Sequence, residues 1–369
     1  MVKYVDIIYH GYLDENMNRT IGGVQTYITD LVKVFENAGL VVRVIQFSKA
    51  DFVCDLSDNS QVIGFCVNKK SPKKRYQEIY NRSIRTAKNV DETLTIFATD
   101  IMIPRKVLTK SVAIQHGIFW DIPKKKKRWN LKRIVARVHH SESLINRIKK
   151  VDGLICVDYN FLNWYRTQVD VVENEISVIP NYTALSLECN KSDGITSIIF
   201  ARRLYEYRGT KVFANVAKML LDKYSNIHIT IAGSGPDETW MKEKLRAYNN
   251  VLFTKYASED SLKIHADKHI AVIPTVGSEG TSLSLLEAMA SNCAVICTNV
   301  GGMTNIVLNG YNGLIVDAGN EQQLYDAMCS LIENPDKSKR LASKARETVE
   351  HSFSQDVWAK SWVEFVKRF

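Results

Sequence analysis

The sequence predicts an α/β protein of two domains, each a doubly wound, mostly parallel sheet flanked by helices. Three observations support this prediction. The chain has 369 residues, too many for one compact domain to be the default. Apolar runs of strand length alternate with helical periodicity through both halves of the chain. A strand that ends in Pro180 and Asn181 is followed by a turn-rich stretch, so we place the domain boundary after residue 182.

The first domain opens with a strand, a glycine loop, a helix and a second strand. Residues 2–9 are the strand, Gly22 and Gly23 form the loop, and the helix stops at Gly39 before strand 41–46. Glycine lets a backbone approach a ligand closely because no Cβ intervenes, although this pair is equally consistent with a plain turn. The remaining strands are expected at 62–67, 93–98, 111–115 and 153–157, and the helices at 72–90, 126–150 and 159–168.

A histidine stands directly after one of these strands. His116 follows strand 111–115, at the carboxyl edge of the sheet, where open α/β sheets bind ligands. A lone histidine is usually structural or on the surface, so its position alone does not assign a role.

The second domain repeats the alternation of strands and helices. Its last stretch, 355–369, places Val357, Trp358, Trp362, Phe365 and Val366 on a broad apolar surface. The preceding strands are expected at 196–201, 227–232, 251–254 and 269–274, and the helices at 210–223, 259–266, 320–333 and 337–350.

The stretch 277–291 has the features of an anion site. An apolar strand ends at Pro274, a loop of small residues follows, and Thr281 or Ser282 can cap the next helix. The free N–H groups and the positive dipole end of that helix favour an anion. Glu279 and Glu287 would repel a bare phosphate, so they fit better as acceptors from the neutral hydroxyls of a phosphorylated ligand. Sugars carry such hydroxyls. The apolar face of the helix is expected to be Leu283, Leu286, Met289 and Ala290.

Charge and composition narrow the class of protein. Hydrophobic residues make up 45% of the chain, and no apolar run is long enough to span a membrane. The sequence enters its first strand without a signal-peptide pattern, and its seven cysteines include no CxxC pair, so we expect reduced thiols in the cytoplasm. No histidine, cysteine and carboxylate spacing typical of a metal site is present.

The positive charge is concentrated in one segment. Residues 1–190 carry 28 Lys and Arg against 20 Asp and Glu, while residues 191–369 carry 21 against 20. Between Lys124 and Lys150 there are eleven cations and one acid, with Trp129 and an amphipathic apolar pattern among them. The segment is consistent with a solvated helix face or with docking on an anionic membrane. Nucleic acid is a less favoured partner because, apart from Trp129, no aromatic residue interleaves the charges, and no nucleic-acid motif accompanies them.

From residue 274 to residue 316 the chain resembles the retaining GT-B glycosyltransferases of the GT4 family. The family signature is two glutamates eight positions apart, then small residues, an apolar strand and a Gly-Gly turn. The residues that carry the resemblance here are Glu279, Glu287, Ala294–Thr298, Gly301, Gly302 and residues 309–315. The resemblance implies two facing Rossmann-like domains, 1–182 and 183–352, with the final helix 353–369 crossing back to the first.

The resemblance also implies roles for individual residues. Arg203 and Arg208 match two cations that grip the donor diphosphate, with Arg202 where relatives have glycine and Arg208 where they have lysine. Arginine keeps the charge and adds a fork that suits phosphate oxygens. Ser282 replaces a family glycine, which we expect to alter donor choice. The other implied contacts are His116 and Glu279 with the transferred sugar, Glu287 with the ribose, and Gly22, Gly23, Gly233, Thr281, Ser282 and Leu283 around the donor.

The expected function is transfer of a sugar from a UDP- or GDP-sugar to a hydroxyl of a glycan or lipid-linked saccharide, with retention of configuration, in cell-surface polysaccharide synthesis. No metal or other cofactor is expected, because the arginines and helix amides can stabilise the leaving phosphate. Two alternatives remain open. One is a nucleic-acid-binding protein, and the other is a relative, such as an epimerase, that binds a sugar nucleotide without transferring the sugar.

Overall fold

The structure is a computed structural model that describes residues 2–20, 22–117, 131–170, 172–186, 191–192, 194–277 and 279–369. The start of the predicted basic segment, with Lys124 and Trp129, lies outside these residues. The described chain forms two α/β domains, as the sequence predicts.

The first domain is an eight-stranded sheet in the order β3-β4-β2-β1-β5-β6-β7-β8, counted over the described residues. All pairs are parallel except β3 with β4. The chain moves outward from β1 on one side and then on the other, which creates a crevice at the carboxyl edge beside β1. The strands are β1 Tyr4–Tyr9, β2 Val41–Ser48, β3 Phe52–Ser57, β4 Ser60–Cys66, β5 Thr93–Phe97, β6 Ser111–Gln115, β7 Gly153–Cys156 and β8 Glu175–Val178. The helices are α1 Gly23–Asn37, α2 Pro72–Arg85, α3 Leu131–Ile148 and α4 Tyr159–Arg166.

The second domain is a six-stranded parallel sheet in the order β11-β10-β9-β12-β13-β14 within the described chain. Its central strands are buried on both faces, which explains why their sequences are continuous apolar runs. The strands are β9 Thr196–Ala201, β10 Ile227–Ala232, β11 Val251–Thr254, β12 Ile270–Ile273, β13 Ala294–Thr298 and β14 Leu314–Val316. The helices are α5 Thr210–Lys223, α6 Glu238–Leu245, α7 Ser261–Ala266, α8 Leu283–Ala290, α9 Glu321–Ile332 and α10 Pro335–Ser352.

The final helix α11, Gln355–Val366, returns to the first domain and joins its core. Trp362 is fully buried, and its ring packs edge-on against Phe35 with 6.0 Å between ring centroids. The indole N–H groups of Trp358 and Trp362 donate to the Tyr27 hydroxyl at 3.2 and 2.8 Å. The predicted apolar surface therefore crosses back as expected through Trp358, Trp362, Phe365 and Val366, whereas Val357, predicted with them, is 36% exposed.

Two connections between the domains run side by side. The Thr183 amide donates to the Phe353 carbonyl at 3.0 Å, and Thr183 forms a parallel bridge with Ser354. Both crossings therefore lie together, and residues that follow strands of both sheets, such as His116 and Arg202, line one cavity between the domains.

We predict that Trp362→Ala lowers the free energy of unfolding by about 3–5 kcal/mol, because it empties a fully buried site and removes a donor to Tyr27. Urea unfolding followed by tryptophan fluorescence and circular dichroism measures the loss. Val357→Ala on the exposed side of α11 is the control. Equal losses in the two variants would show that the helix is not integral to the first domain.

Candidate active site

A cavity of about 640 Å³ lies between the two domains. It contains most of the residues that the sequence singled out, from both halves of the chain. The predicted residues among its lining are Gly22, Gly23, His116, Arg203, Arg208, Glu279, Thr281, Leu283 and Glu287. Gly233 and Ser282 are not among the lining residues.

The glycine loop supplies a helix N-terminus on the first-domain side. Gly22 is the N-cap of α1 and offers no side chain to the first N–H groups of the helix. These N–H groups therefore stay available at the cavity wall, which suits a ligand oxygen. Tyr27 and Asp30, one turn and two turns into α1, line the same wall.

His116 is held in one orientation and in one tautomer. Its Nε2 lies 2.9 Å from the Ala98 carbonyl, and since a carbonyl only accepts, Nε2 carries the proton. Burial lowers the pKa of His116 and outweighs the opposing effects of Ala98 and Asp100. The ring is therefore neutral near pH 7 and keeps Nδ1 as an acceptor. The Tyr27 ring packs edge-on against the His116 ring, with 5.5 Å between ring centroids. Because Tyr27 also accepts hydrogen bonds from Trp358 and Trp362, His116 is connected to the final helix.

On the second-domain side, a carboxylate is clamped by two arginines. Arg202 Nη2 donates to Glu279 Oε2 at 2.6 Å, and Arg208 Nη1 donates to the same oxygen. Thr275 Oγ1 donates to it as well, at 3.0 Å, and accepts from Arg202. Burial alone would raise the pKa of Glu279, but the two guanidinium groups outweigh it and lower the pKa. The cluster is thus ionised and carries a net charge of about +1.

Sequence reasoning assigned the diphosphate to Arg203 and treated Arg202 as a departure from the family pattern. In the structure Arg202 is buried, with 6% of the residue exposed. Arg203 is exposed and also lines the cavity. Arg202, which the sequence analysis treated only as a departure from the family glycine, is therefore the residue that it missed. Two adjacent arginines after a strand carry no sequence signal that selects one of them.

Glycines allow the arginine loop to lie against its neighbours. A Cβ at Gly209, which has φ +85°, would lie 1.9 Å from the Pro274 carbonyl oxygen. A Cβ at Gly233, with φ +141°, would lie 2.0 Å from the Arg202 carbonyl oxygen. Gly233 therefore lies against the backbone of Arg202 and does not line the cavity, and its part in donor binding stays a prediction.

The loop before α8 is fixed by close backbone packing. Gly301 has φ +56°, and a Cβ there would lie 1.9 Å from the Glu279 carbonyl oxygen. A Cβ on Gly302 would lie 2.6 Å from the Gly280 carbonyl oxygen. The Gly-Gly turn of the motif is thus needed to let the Glu279 loop lie where it does.

The capping prediction for α8 is wrong in detail. Ser282 is the N-cap residue, but its side chain makes no capping hydrogen bond, and its buried Oγ has no partner within the described chain. The Thr281 hydroxyl instead donates across the cleft to the Val157 carbonyl. Leu283, expected on the apolar face, is 41% exposed and lines the cavity, whereas Leu285 is buried. The first amides of α8 are therefore left for a ligand.

The pKa of Glu287 is shifted in the direction opposite to that of Glu279. It lies on α8 within the cavity wall, beside Ser261 and Tyr256. Burial raises the pKa of Glu287 to about 7, and the hydrogen bond with Ser261 opposes the rise only in part. Without a ligand, this carboxyl group is about half protonated at neutral pH.

The described residues include neither a metal-binding cluster nor a membrane-spanning helix. No group of three or more His, Cys, Asp or Glu side chains among them is placed to hold a metal ion. None of the helices described in this structure is both long enough and apolar enough to cross a bilayer.

The two facing sheets, the cleft between them and the returning final helix define a protein of the GT-B fold. Residues 189–348 match the family described as Glycosyl transferases group 1. The structure is similar to a sucrose-phosphate synthase of Thermosynechococcus elongatus, with TM-score 0.75, 15% identity and coverage of 99% of this chain and 98% of that one. It is also similar to the Anabaena protein HepE in complex with UDP, with TM-score 0.72, 15% identity and full coverage of both chains.

Among curated relatives, an uncharacterized glycosyltransferase of Methanocaldococcus jannaschii is 38% identical over 231 residues, which are 58% of this chain and 62% of that protein. The chain spans about half the length of the curated relatives it matches, for example 44% of another protein from that organism. These comparisons show that the chain is similar to glycosyl transferases group 1, with the family match confined to residues 189–348, and the structural likenesses establish the fold.

We predict that Glu287→Gln removes a pH dependence of stability. The folded-state pKa of about 7 lies above the ordinary value of 4.5, so Glu287 favours folding below about pH 4.5, and this contribution is lost as the pH rises through 7. The variant should therefore gain roughly 3 kcal/mol relative to wild type between pH 4.5 and pH 8. Thermal unfolding across this range measures the difference, with the exposed Glu364→Gln as the control. Parallel curves for wild type and Glu287→Gln would contradict the prediction.

Proposed function

We propose that this protein transfers a sugar from a nucleotide-diphosphate sugar, most simply a UDP- or GDP-sugar, to a hydroxyl of a glycan or lipid-linked saccharide. The reaction retains the anomeric configuration and needs no metal. The observation that carries the proposal is the Arg202–Glu279–Arg208 cluster beside the N-terminus of α8, at the floor of the interdomain cleft.

The donor diphosphate fits this floor by charge. Glu279 neutralises one of the two guanidinium groups, so the cluster presents about one positive charge together with the free amides of α8. Negative charge grows on the leaving phosphate as the sugar departs, and donors that are already oriented stabilise it without reorganisation. The hydrogen bond between Glu279 and Arg202 fixes that orientation before a ligand arrives.

The hydroxyl groups of the donor fit the two carboxylates. The contacts of Glu279 with Arg202, Arg208 and Thr275 all fall on Oε2, so Oε1 can accept from the transferred sugar. Glu287, with its raised pKa, gains most from ligand hydroxyls that donate to its ionised form, as a ribose does. Neutral His116 can accept one further hydroxyl through Nδ1 from the opposite wall.

The acceptor enters from the first-domain side. Tyr27, Asp30 and the Gly22 loop form that wall of the cavity, and the Tyr182 hydroxyl donates to Asp30. With donor and acceptor stacked across one cleft, the attacking hydroxyl approaches the sugar from the side of the leaving phosphate. That phosphate can take the acceptor proton, and attack from this side retains the configuration.

The described part of the basic segment also supports a membrane-associated acceptor. In α3, Leu131, Ile134, Val135 and Val138 repeat at helical spacing and are 73%, 40%, 59% and 53% exposed. We propose that this apolar stripe, with the flanking cations, rests on the surface of an anionic membrane in the cytoplasm. The acceptor would then be a lipid-linked saccharide of the cell surface.

A donor screen tests the proposed activity. Thermal unfolding is measured with UDP-, GDP- and dTDP-sugars, because a ligand at about 100 times its Kd stabilises by about 2.7 kcal/mol. The stabilising donor should be hydrolysed slowly without acceptor, at the same rate in EDTA, and the released sugar should first appear with the configuration of the donor. Lack of stabilisation by every donor would overturn the proposal, and binding without hydrolysis or transfer would favour a non-transferring protein.

We predict that Arg208→Gln lowers kcat/KM for donor hydrolysis by about 10- to 150-fold, the value of one charge-assisted hydrogen bond. Arg202 still neutralises Glu279 in this variant, so the fold is retained. Arg203→Gln is the matched control, and a smaller loss is expected because Arg203 is exposed and screened by solvent. If Arg203→Gln costs as much as Arg208→Gln, the original assignment of Arg203 to the diphosphate is right.

A further inference from the structure

A second cavity, of about 540 Å³, lies in the first domain outside the interdomain cleft. It is formed by the start of α2, the segment after β5 and one side of α3. Its charged and titratable lining residues are Lys73, Arg105, His139, Glu142, Arg147 and Lys150. Lys73 follows β4 and Arg105 follows β5, so the cavity lies at the same carboxyl edge of the sheet as His116.

The positive charge of this cavity is not balanced. Arg147 pairs with Asp100 at 3.3 Å, which fixes the Arg147 guanidinium against the sheet edge. Lys73, Arg105 and Lys150 make no ion pair with any residue that the structure describes. Burial and the neighbouring cations lower the pKa of Lys150, which reflects the local positive potential. A binding partner with negative charge would relieve this repulsion.

The apolar stripe of α3 runs beside the cavity on the same helix. Leu131, Ile134, Val135 and Val138 lie on one face, and the cavity residues His139 and Asn146 lie on the adjoining face, about a quarter turn away, while Lys150 lies in the turn just after the helix. A soluble anion would contact the cavity alone. A lipid would occupy both surfaces, with its headgroup in the cavity and its acyl region against the stripe.

We propose that this cavity binds the phosphate of an anionic phospholipid headgroup while the apolar stripe of α3 enters the bilayer interface. The proposal rests on the membrane association proposed above and adds to it a defined headgroup site. The cations at the cavity can donate charge-assisted hydrogen bonds to phosphate oxygens, which a smooth electrostatic surface does not provide. Headgroup binding at this edge would also direct the mouth of the cleft toward the membrane surface.

The test compares two charge-matched pairs of substitutions. Arg105→Gln with Lys150→Gln removes two cavity cations, and Lys106→Gln with Lys149→Gln removes the two neighbouring cations that do not line the cavity. Co-sedimentation uses phosphatidylcholine vesicles with and without phosphatidic acid. Wild type should bind only the anionic vesicles, and the cavity pair should lose about tenfold more affinity than the control pair. Donor hydrolysis should be unchanged in both pairs.

Other outcomes distinguish a failure of the headgroup site from a failure of membrane association or of sugar transfer. Equal losses in the two pairs would overturn the headgroup site and leave membrane association standing. Absence of vesicle binding by wild type would overturn both of these, while donor hydrolysis would still report on sugar transfer. Stabilisation of wild type, but not of the cavity pair, by glycerol 3-phosphate without vesicle binding would assign the cavity to a soluble phosphate compound. RNA binding that the cavity pair loses, without vesicle binding, would likewise overturn the lipid assignment.

Discussion

The cleft depends on a buried carboxylate that cannot remain unpaired. Glu279 is buried, and an isolated charge there would cost several kcal/mol. Arg202, at the end of β9, and Arg208, one loop later, both reach the same oxygen, and Thr275, after β12, completes its hydrogen bonding. This one group therefore ties together two strand ends and the loop that leads into α8. Removal of either arginine weakens the floor of the cleft as well as its charge.

Close backbone contacts set the position of that carboxylate. Gly301 lies so near the Glu279 carbonyl that no side chain fits between them. A Cβ on Gly280 would lie 3.1 Å from the carbonyl oxygen of His116 in the other domain. Across the same contact Thr281 donates to Val157, and Asn181 donates to Thr281 at 2.9 Å. The small residues of the motif thus serve two purposes, because they shape the proposed anion site and let the domains meet around it.

The architecture could be predicted from the sequence because parallel strands buried on both faces are continuous apolar runs. The last helix was also recognisable, because it carries an unusually broad apolar surface. The edge strand Phe52–Ser57 was not predicted, since Asp55 and Ser57 interrupt its short apolar run and most of its residues are exposed. The site was harder to predict. The choice between Arg202 and Arg203 depends on how the chain turns after β9, and the Ser282 hydroxyl lost its expected capping role because Thr281 is held by the other domain. Long-range contacts of this kind leave no local signal.

The two glutamates of the motif differ in charge state because only one has cations beside it. Glu279 is ionised before any ligand arrives, so it can orient the arginines without further cost. Glu287 has a pKa of about 7, so below that pH a ligand that donates to its carboxylate must first displace a proton. Donor binding would then release protons in slightly acidic solution, and the affinity would rise with pH until Glu287 is fully ionised. In the proposed reaction, the rigid part of the cleft would therefore bind the donor phosphate, and the titratable part would bind the hydroxyls of the nucleoside.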